Sequence, residues 1–294
     1  MRPQLSVIVP IHQGRAQVLR SALTSILQQS LGFSESLEVI VVQDGNDDGA
    51  SEVVESFKNL RIEYMPSDGS CGISASRNRG IKSATSPLVL LLDSDDFLTA
   101  SCVETLLSFA EKESSSGVYY SNSQRFYERD GISLGLPIIS DFYHRMYEKH
   151  RKSRFNPFFH SVFVGHAIAV RRELLIEIGG FNENKLCGEL TDLVLKIHMS
   201  GARFTHIPRK LYMYRRSSNG RLLDDSCIHS ERADSIARSY REYFDDTLLD
   251  VVPLGRVAPY QHYHYLLRGS DDQEITPDYV NYPSMRLRLE GIMT

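Results

Sequence analysis

The stretch "SPLVLLLDSDDFL", residues 86–98, decides how the rest of the chain is read. Pro87 to Leu92 form an apolar run. Asp93, Asp95 and Asp96 then put three carboxylates into four positions. An apolar run this short, bounded by turn residues, reads as a strand buried on both faces. Carboxylates this close repel and raise one another's pKa. Such a cluster calls for a positive partner, and a bound metal ion is the leading candidate.

Working outward, the first hundred residues alternate strand and helix. "LSVIVP" (5–10) reads as a buried strand, and 15–29 as a helix with Val18, Leu19, Ala22, Leu23, Ile26 and Leu27 on its apolar face. "LEVIVVQ" (37–43) is a second buried strand, followed by the turn-rich loop "DGNDDGAS". A short helix over 50–57, a strand over 60–65 and a Gly-initiated helix over 72–84 lead to the strand at 87–93. Ser101 and Glu104 fit a capping box for the next helix, with Val103, Leu106, Leu107 and Ala110 inward. This rhythm predicts an α/β fold with a mostly parallel central sheet and helices on both faces. Ligands on such sheets sit at the carboxyl ends of the strands. His12, the Asp44–Asp48 loop and Asp93–Asp96 all fall there.

The second half is less regular. Residues 125–158, rich in Tyr, Arg and His, read as a long excursion. A helix is expected at 189–200. The tail over 217–294 reads as a partly helical extension, with a helix at 228–244 and then Tyr- and Pro-rich sequence without a clear pattern.

Composition narrows the classes. The 294 residues are 41% hydrophobic and carry a formal net charge of -4, so no global basic field draws the chain to nucleic acid. Four cysteines without a C-x-x-C pair argue against a zinc ribbon and suit a reducing compartment. The N-terminal apolar run stops at Pro10, too short for a signal segment. No stretch reaches the ~18 apolar residues of a membrane span. A cytoplasmic location is expected, with peripheral membrane contact left open.

Each polar feature has two readings. Hard divalent cations such as Mg²⁺ or Mn²⁺ take one or two carboxylates plus substrate phosphates, which suits D-x-D-D. Asp is equally common in solvated turns that cap helices. Asp44, after the second strand, suits hydrogen bonding to a base or ribose, or an Asx-type turn. Arg77 and Arg79 lie in the first turns of a helix, where phosphate is favoured, or are surface arginines.

Taken together, "SVIVPIHQGRAQVLRSALTSILQQS", "LEVIVVQDGNDDGA", "GISASRNRGIKSATSPLVLLLDSDD", "GGFNE" and "LTDLVLKIHMSGARFTHIPRKLYMYRR" resemble the glycosyltransferase family 2 proteins of the GT-A fold, over roughly residues 4–216. The resemblance implies a GT-A domain over 1–216. Residues 1–115 would be its Rossmann-like, nucleotide-sugar-binding half and 116–216 its acceptor-binding half, with 217–294 as an extension. It implies inverting transfer of a hexose-type sugar from a nucleotide-sugar, most commonly a UDP-sugar, with Mn²⁺ or Mg²⁺. The expected acceptor is a hydroxyl on a glycan or lipid-linked glycan. Pro10 and His12 match positions that hold the nucleobase edge, Asp44 the Asp that reads the base, and Arg77 a residue near base or phosphates. Asp93 and Asp95 match the D-x-D that touches ribose and metal, with Asp95 and Asp96 as metal-side carboxylates. The extension is a candidate for homodimerisation, membrane contact or closure of the site.

Two departures matter. The family's usual general-base Asp falls at Leu190, which belongs to the apolar stripe Leu190, Leu193, Val194, Ile197. Glu189 is then the first candidate base and Asp192 the second. A His that reaches the metal in many relatives falls at Ser217; His160, His166 and His198 are lone histidines elsewhere. Three other readings remain: a sugar-nucleotide-binding protein of this fold with a lost base, a nucleotidyltransferase, for which "PIHQGRAQ" is a poor phosphate loop, and an interaction protein using the tail.

Overall fold

The structure is a computed structural model. It describes residues 3–29, 36–67, 69, 71–127, 168–185 and 187–216, together with strand backbone at 248–257, 260–268 and 274–275. In chain order the strands are β1 Leu5–His12, β2 Leu37–Asp44, β3 Ile62–Met65, β4 Leu88–Leu91, β5 Phe97–Leu98, β6 Val118–Tyr127, β7 Ile168–Arg171 and β8 Phe204–Arg216. The helices are α1 Ala16–Leu27, α2 Ala50–Glu55, α3 Ile73–Ser83, α4 Cys102–Lys112, α5 Arg172–Glu177 and α6 Glu189–Met199.

These strands build one eight-stranded sheet in the order β3-β2-β1-β4-β7-β6-β8-β5. β3, β2, β1 and β4 run parallel, as the apolar runs predicted. β7 turns antiparallel against both β4 and β6, and β6 pairs parallel with β8. The expected α/β architecture is therefore present, with helices on both faces. Alternate residues of each strand serve opposite faces. Ile8, Ile40, Val42, Val89 and Leu91 pack with Ile81 of α3, Leu175 of α5 and Leu193 of α6. Val7, Val9, Val39, Val41, Leu90 and Leu92 pack with Leu19 and Leu23 of α1, Val54 of α2 and Leu106 of α4.

One close contact explains part of "SRNRG". A Cβ added at Gly80 would lie 2.6 Å from Ile8 Cγ2, so only glycine lets α3 lie this tightly on β1. The opposite end of the sheet is pinned by Glu38. Its carboxylate accepts hydrogen bonds from the Ser6 hydroxyl and from backbone and side chain of both Thr85 and Ser86. Burial alone would raise its pKa, but these donors outweigh burial and hold it below the usual range.

Several expectations need correction. Ser101 stands at the N-cap of α4 but makes no capping bond. Gln29, just past α1, does that work: its Oε1 accepts the Val103 N–H at 3.1 Å. Leu27 is 40% exposed, on the outer side of a last turn whose Ser25 and Ile26 stay buried. Residues 125–127 continue β6 rather than opening an excursion. The strand is disguised by polar residues that are buried, Ser121 and Ser123. The rest of the expected excursion, and the helix expected at 228–244, lie outside the described residues. The described part of the tail is an antiparallel sheet of β9 Leu248–Val257, β10 Tyr260–Arg268 and β11 Glu274–Ile275.

Candidate active site

Register fixes the rim. His12 pairs with Asp44 across β1 and β2, and the Leu92 N–H donates to the Ile8 carbonyl, so Asp93 emerges beside them. Pro10 is buried within β1, whereas His12 is exposed. The loop after β2 spends its carboxylates on structure. Asp44 Oδ1 accepts the N–H groups of Cys71 and Gly72 at 2.8 and 3.1 Å, fixing the start of α3. Asp47 caps α2 through the amides of Gly49, Ala50 and Ser51. Asp48 accepts the Gly14 N–H and ties down the β1–α1 loop.

Arg77 is the centre of the site. Its side chain is only 4% exposed. Nη2 donates to Asp93 Oδ1 at 2.8 Å and Nη1 to Glu189 Oε1 at 3.0 Å. Burial opposes a charged guanidinium, but Asp93 and then Glu189 outweigh it and raise the pKa above its usual value. The guanidinium also lies 5.1 Å from the Phe181 ring centroid. One arginine thus joins the carboxylate at the end of β4 to the carboxylate at the start of α6.

The next residue makes a second link. Asn78 Oδ1 accepts the Phe181 N–H at 2.8 Å, and its Nδ2 donates to the Phe181 carbonyl and Glu183. Gly180 must be glycine here. Its φ is +65° and an added Cβ would meet Asn78 Oδ1 at 2.4 Å. In "SRNRG", then, Arg77 joins two carboxylates, Asn78 latches the "GGF" turn and Gly80 lets α3 approach β1.

The three clustered aspartates diverge. Asp93 faces Arg77. Asp95 is the most open, its side chain 33% exposed, and meets Arg15 Nη1 at 2.7 Å. Asp96 turns inward and is fully buried. Its Oδ2 accepts from the Tyr212 hydroxyl and its Oδ1 from the Arg215 N–H, both at 2.7 Å. Burial first, then the charges of Asp93 and Asp95, push its pKa well above the carboxylate range. Tyr212 also accepts the Asp93 N–H, and Arg215 Nε donates to the Asp95 carbonyl. β8 therefore holds the whole loop. Asp96, expected on the metal side, has both carboxylate oxygens turned to β8 instead.

The two candidate bases also separate. Glu189 stands at the first position of α6 with its side chain 19% exposed. Asp192 is fully buried between Lys185 and Lys196, each 3.6 Å away. That burial sets it apart from Glu189, whose side chain stays partly open.

A divalent cation fits Asp93 and Asp95 by donor type. Both offer carboxylate oxygen at the rim, and Asp95 already attracts a cationic side chain. Among the described residues no three His, Cys, Asp or Glu converge on a metal-binding geometry. Divalent cations that take one or two carboxylates complete their coordination with ligand phosphates. His198 lies in the last turn of α6, about 13 Å along the axis from Glu189 at 1.5 Å per residue, and burial lowers its pKa. His160, His166 and Ser217 lie outside the described residues. Among those described, no helix is long and apolar enough to cross a membrane.

Known proteins are similar to this chain in sequence and in fold. Residues 6–179, more than half of the chain, match the family described as Glycosyl transferase family 2, and the chain belongs to that family. It is 37% identical over 109 residues to "Minor teichoic acid biosynthesis protein GgaA" of Bacillus subtilis, covering 35% of this chain and 24% of GgaA. It is 25% identical over 265 residues to "Glycosyltransferase GlyG" of Streptococcus pneumoniae, covering 87% of this chain and 83% of GlyG. The chain thus spans about a quarter of the first of these relatives and most of the second. Among solved structures, S. aureus TarS 1–349 in complex with UDP-GlcNAc superposes with a TM-score of 0.63 at 17% identity, over 81% of this chain and 66% of that one. A mannosyltransferase from Pyrobaculum calidifontis in complex with GDP-Man and Mn²⁺ gives 0.58 at 21% identity, over 84% and 65%. At these identities the likeness establishes the GT-A fold.

Proposed function

We propose that the chain transfers a sugar from a nucleotide-sugar, a UDP-sugar by preference, to a hydroxyl on a glycan or lipid-linked glycan, with inversion at the anomeric carbon. The observation that carries this reading is the Arg77 bridge. It sets the donor-side carboxylate Asp93 and the candidate base Glu189 on the same guanidinium. The reading is also supported by the UDP-GlcNAc bound to TarS and the Mn²⁺ bound with GDP-Man in the Pyrobaculum enzyme.

The chemistry is one displacement. The acceptor oxygen bonds to the anomeric carbon as the bond to the diphosphate breaks, and Glu189 takes the acceptor's proton. Asp93 and Asp95 would hold a divalent cation, which offsets the diphosphate charge and stabilises the departing nucleoside diphosphate. His12 is exposed at the edge where the base would lie, with Pro10 and Asp44 buried next to it. Arg77, its Nη1 and Nη2 already engaged, orients carboxylates rather than gripping phosphate.

The test is nucleoside diphosphate release from UDP-, GDP- and dTDP-sugars with Mn²⁺, for the wild type and for Glu189→Gln. The reading expects release from one donor class, lost in the variant while nucleotide binding survives. Equal release from both proteins moves the base elsewhere. Binding without release from any donor favours the alternative of a sugar-nucleotide-binding protein with a lost base, which Leu190 motivates.

A further inference from the structure

Among the described residues, the Arg15–Asp95 pair differs from the Arg77 pairs at the rim. Arg77 is buried and held by two carboxylates, so nothing displaces it cheaply. Arg15 is 43% exposed, and its guanidinium reaches Asp95 through one nitrogen, at 2.7 Å. It begins α1 without capping it, so its side chain is not committed there. Its position, in contrast, is fixed: the preceding Gly14 N–H is held by Asp48. The result is a cation on a short, anchored tether, resting on the most open of the three clustered aspartates. An exposed pair of this kind biases an equilibrium by only about two- to fivefold. A divalent ion carries twice the charge and displaces it.

We propose that Arg15 is the resident counter-ion of Asp95. It occupies the carboxylate until a divalent cation takes its place, and the freed guanidinium then pairs with the diphosphate that the cation binds. The inference rests on the metal-assisted reading above and adds to it a donor-binding residue from the β1–α1 loop. Arg15 also explains how Asp95 keeps its place in the absence of metal, despite its neighbours Asp93 and Asp96. The exchange conserves charge balance. The carboxylate passes from one cation to another, and the released arginine passes from one anion to another.

The exchange has a signature that a merely structural arginine lacks, because one variant moves two affinities in opposite directions. Mn²⁺ binding without nucleotide is read from the electron paramagnetic resonance of the free aqua ion. UDP binding at saturating Mn²⁺ is read by calorimetry. Arg15→Gln is expected to tighten Mn²⁺ by roughly two- to fivefold, by removing its competitor. It is expected to weaken UDP by roughly three- to tenfold, by removing a charge-assisted hydrogen bond. Unchanged or weaker Mn²⁺ binding overturns the counter-ion role. Unchanged or tighter UDP binding overturns the transfer to diphosphate. Asp95→Asn separates this inference from its foundation. If Mn²⁺ binds that variant as it binds the wild type, the metal reading itself fails and the inference falls with it.

Discussion

Replacing Arg77 by methionine keeps the length of the side chain and removes its charge. Asp93 and Glu189, 18% and 19% exposed at their side chains, then face each other with no cation between them. Breaking a buried ion pair from one side typically costs about 3–5 kcal/mol, because the partner charge is left uncompensated. Losing the contact with the Phe181 ring adds about 0.5–1 kcal/mol. Against a total stability of about 5–15 kcal/mol, that is a large fraction. The assay is urea unfolding followed by circular dichroism, since the chain has no tryptophan. Adding Glu189→Gln removes one of the stranded charges. The double variant should therefore recover about 1–2 kcal/mol relative to Arg77→Met alone. An Arg77→Met protein within about 1 kcal/mol of wild type would refute the reasoning. So would a Glu189→Gln change that adds its own destabilisation in full.

Other predictions concern the surroundings of the site. Glu38 has a depressed pKa, so its stabilisation is full above the unfolded value near 4.5 and is lost as pH falls through the lower folded value. Denaturation at a series of pH values should show Glu38→Gln flattening that acid limb. Asn78→Ala removes the latch on "GGF" and leaves the Phe181 N–H without its acceptor. A loss of about 1–3 kcal/mol is expected by thermal or urea unfolding. Asp96→Asn carries no charge to bury, so it should stay within about 1 kcal/mol of wild type at neutral pH, as judged by urea unfolding. Asp96→Ala should lose more in the same experiment, because it leaves Tyr212 and Arg215 without their acceptor. Gly80→Ala should cost about 1–3 kcal/mol by forcing α3 off Ile8, read from the shift of the urea midpoint.

The parallel part of the fold was legible because β1, β2 and β4 are apolar on both faces, and such runs have few other uses. β6 was not, since its buried Ser121 and Ser123 mimic an exposed strand. β5, only two residues long, carries no periodic signal. At the site, the rim location of Asp44, Asp93 and Asp95 followed from where the strands end. Their separate tasks did not. Beyond β4 the alternation of side chains ceases, so spacing gave no means to tell that Asp95 faces outward and Asp96 inward. That difference is made by Tyr212 and Arg215, more than a hundred residues away in sequence. Arg77 was recognisable as polar and near the rim, yet its partners lie 16 and 112 positions off. Helical spacing put Asp192, the second candidate, on a face neighbouring that of Glu189, the first. What separates them is Lys185 and Lys196 closing over the buried carboxylate.

The central claim is that this rim binds a nucleotide through a divalent cation at Asp95. The most direct test is calorimetric titration of UDP, GDP and dTDP, each with and without Mn²⁺, into the wild type and into Asp95→Asn. The account predicts that one nucleotide, UDP by preference, binds the wild type only with Mn²⁺, and that Asp95→Asn loses that binding. Binding that ignores both the cation and the substitution, or no binding of any nucleotide, would contradict it.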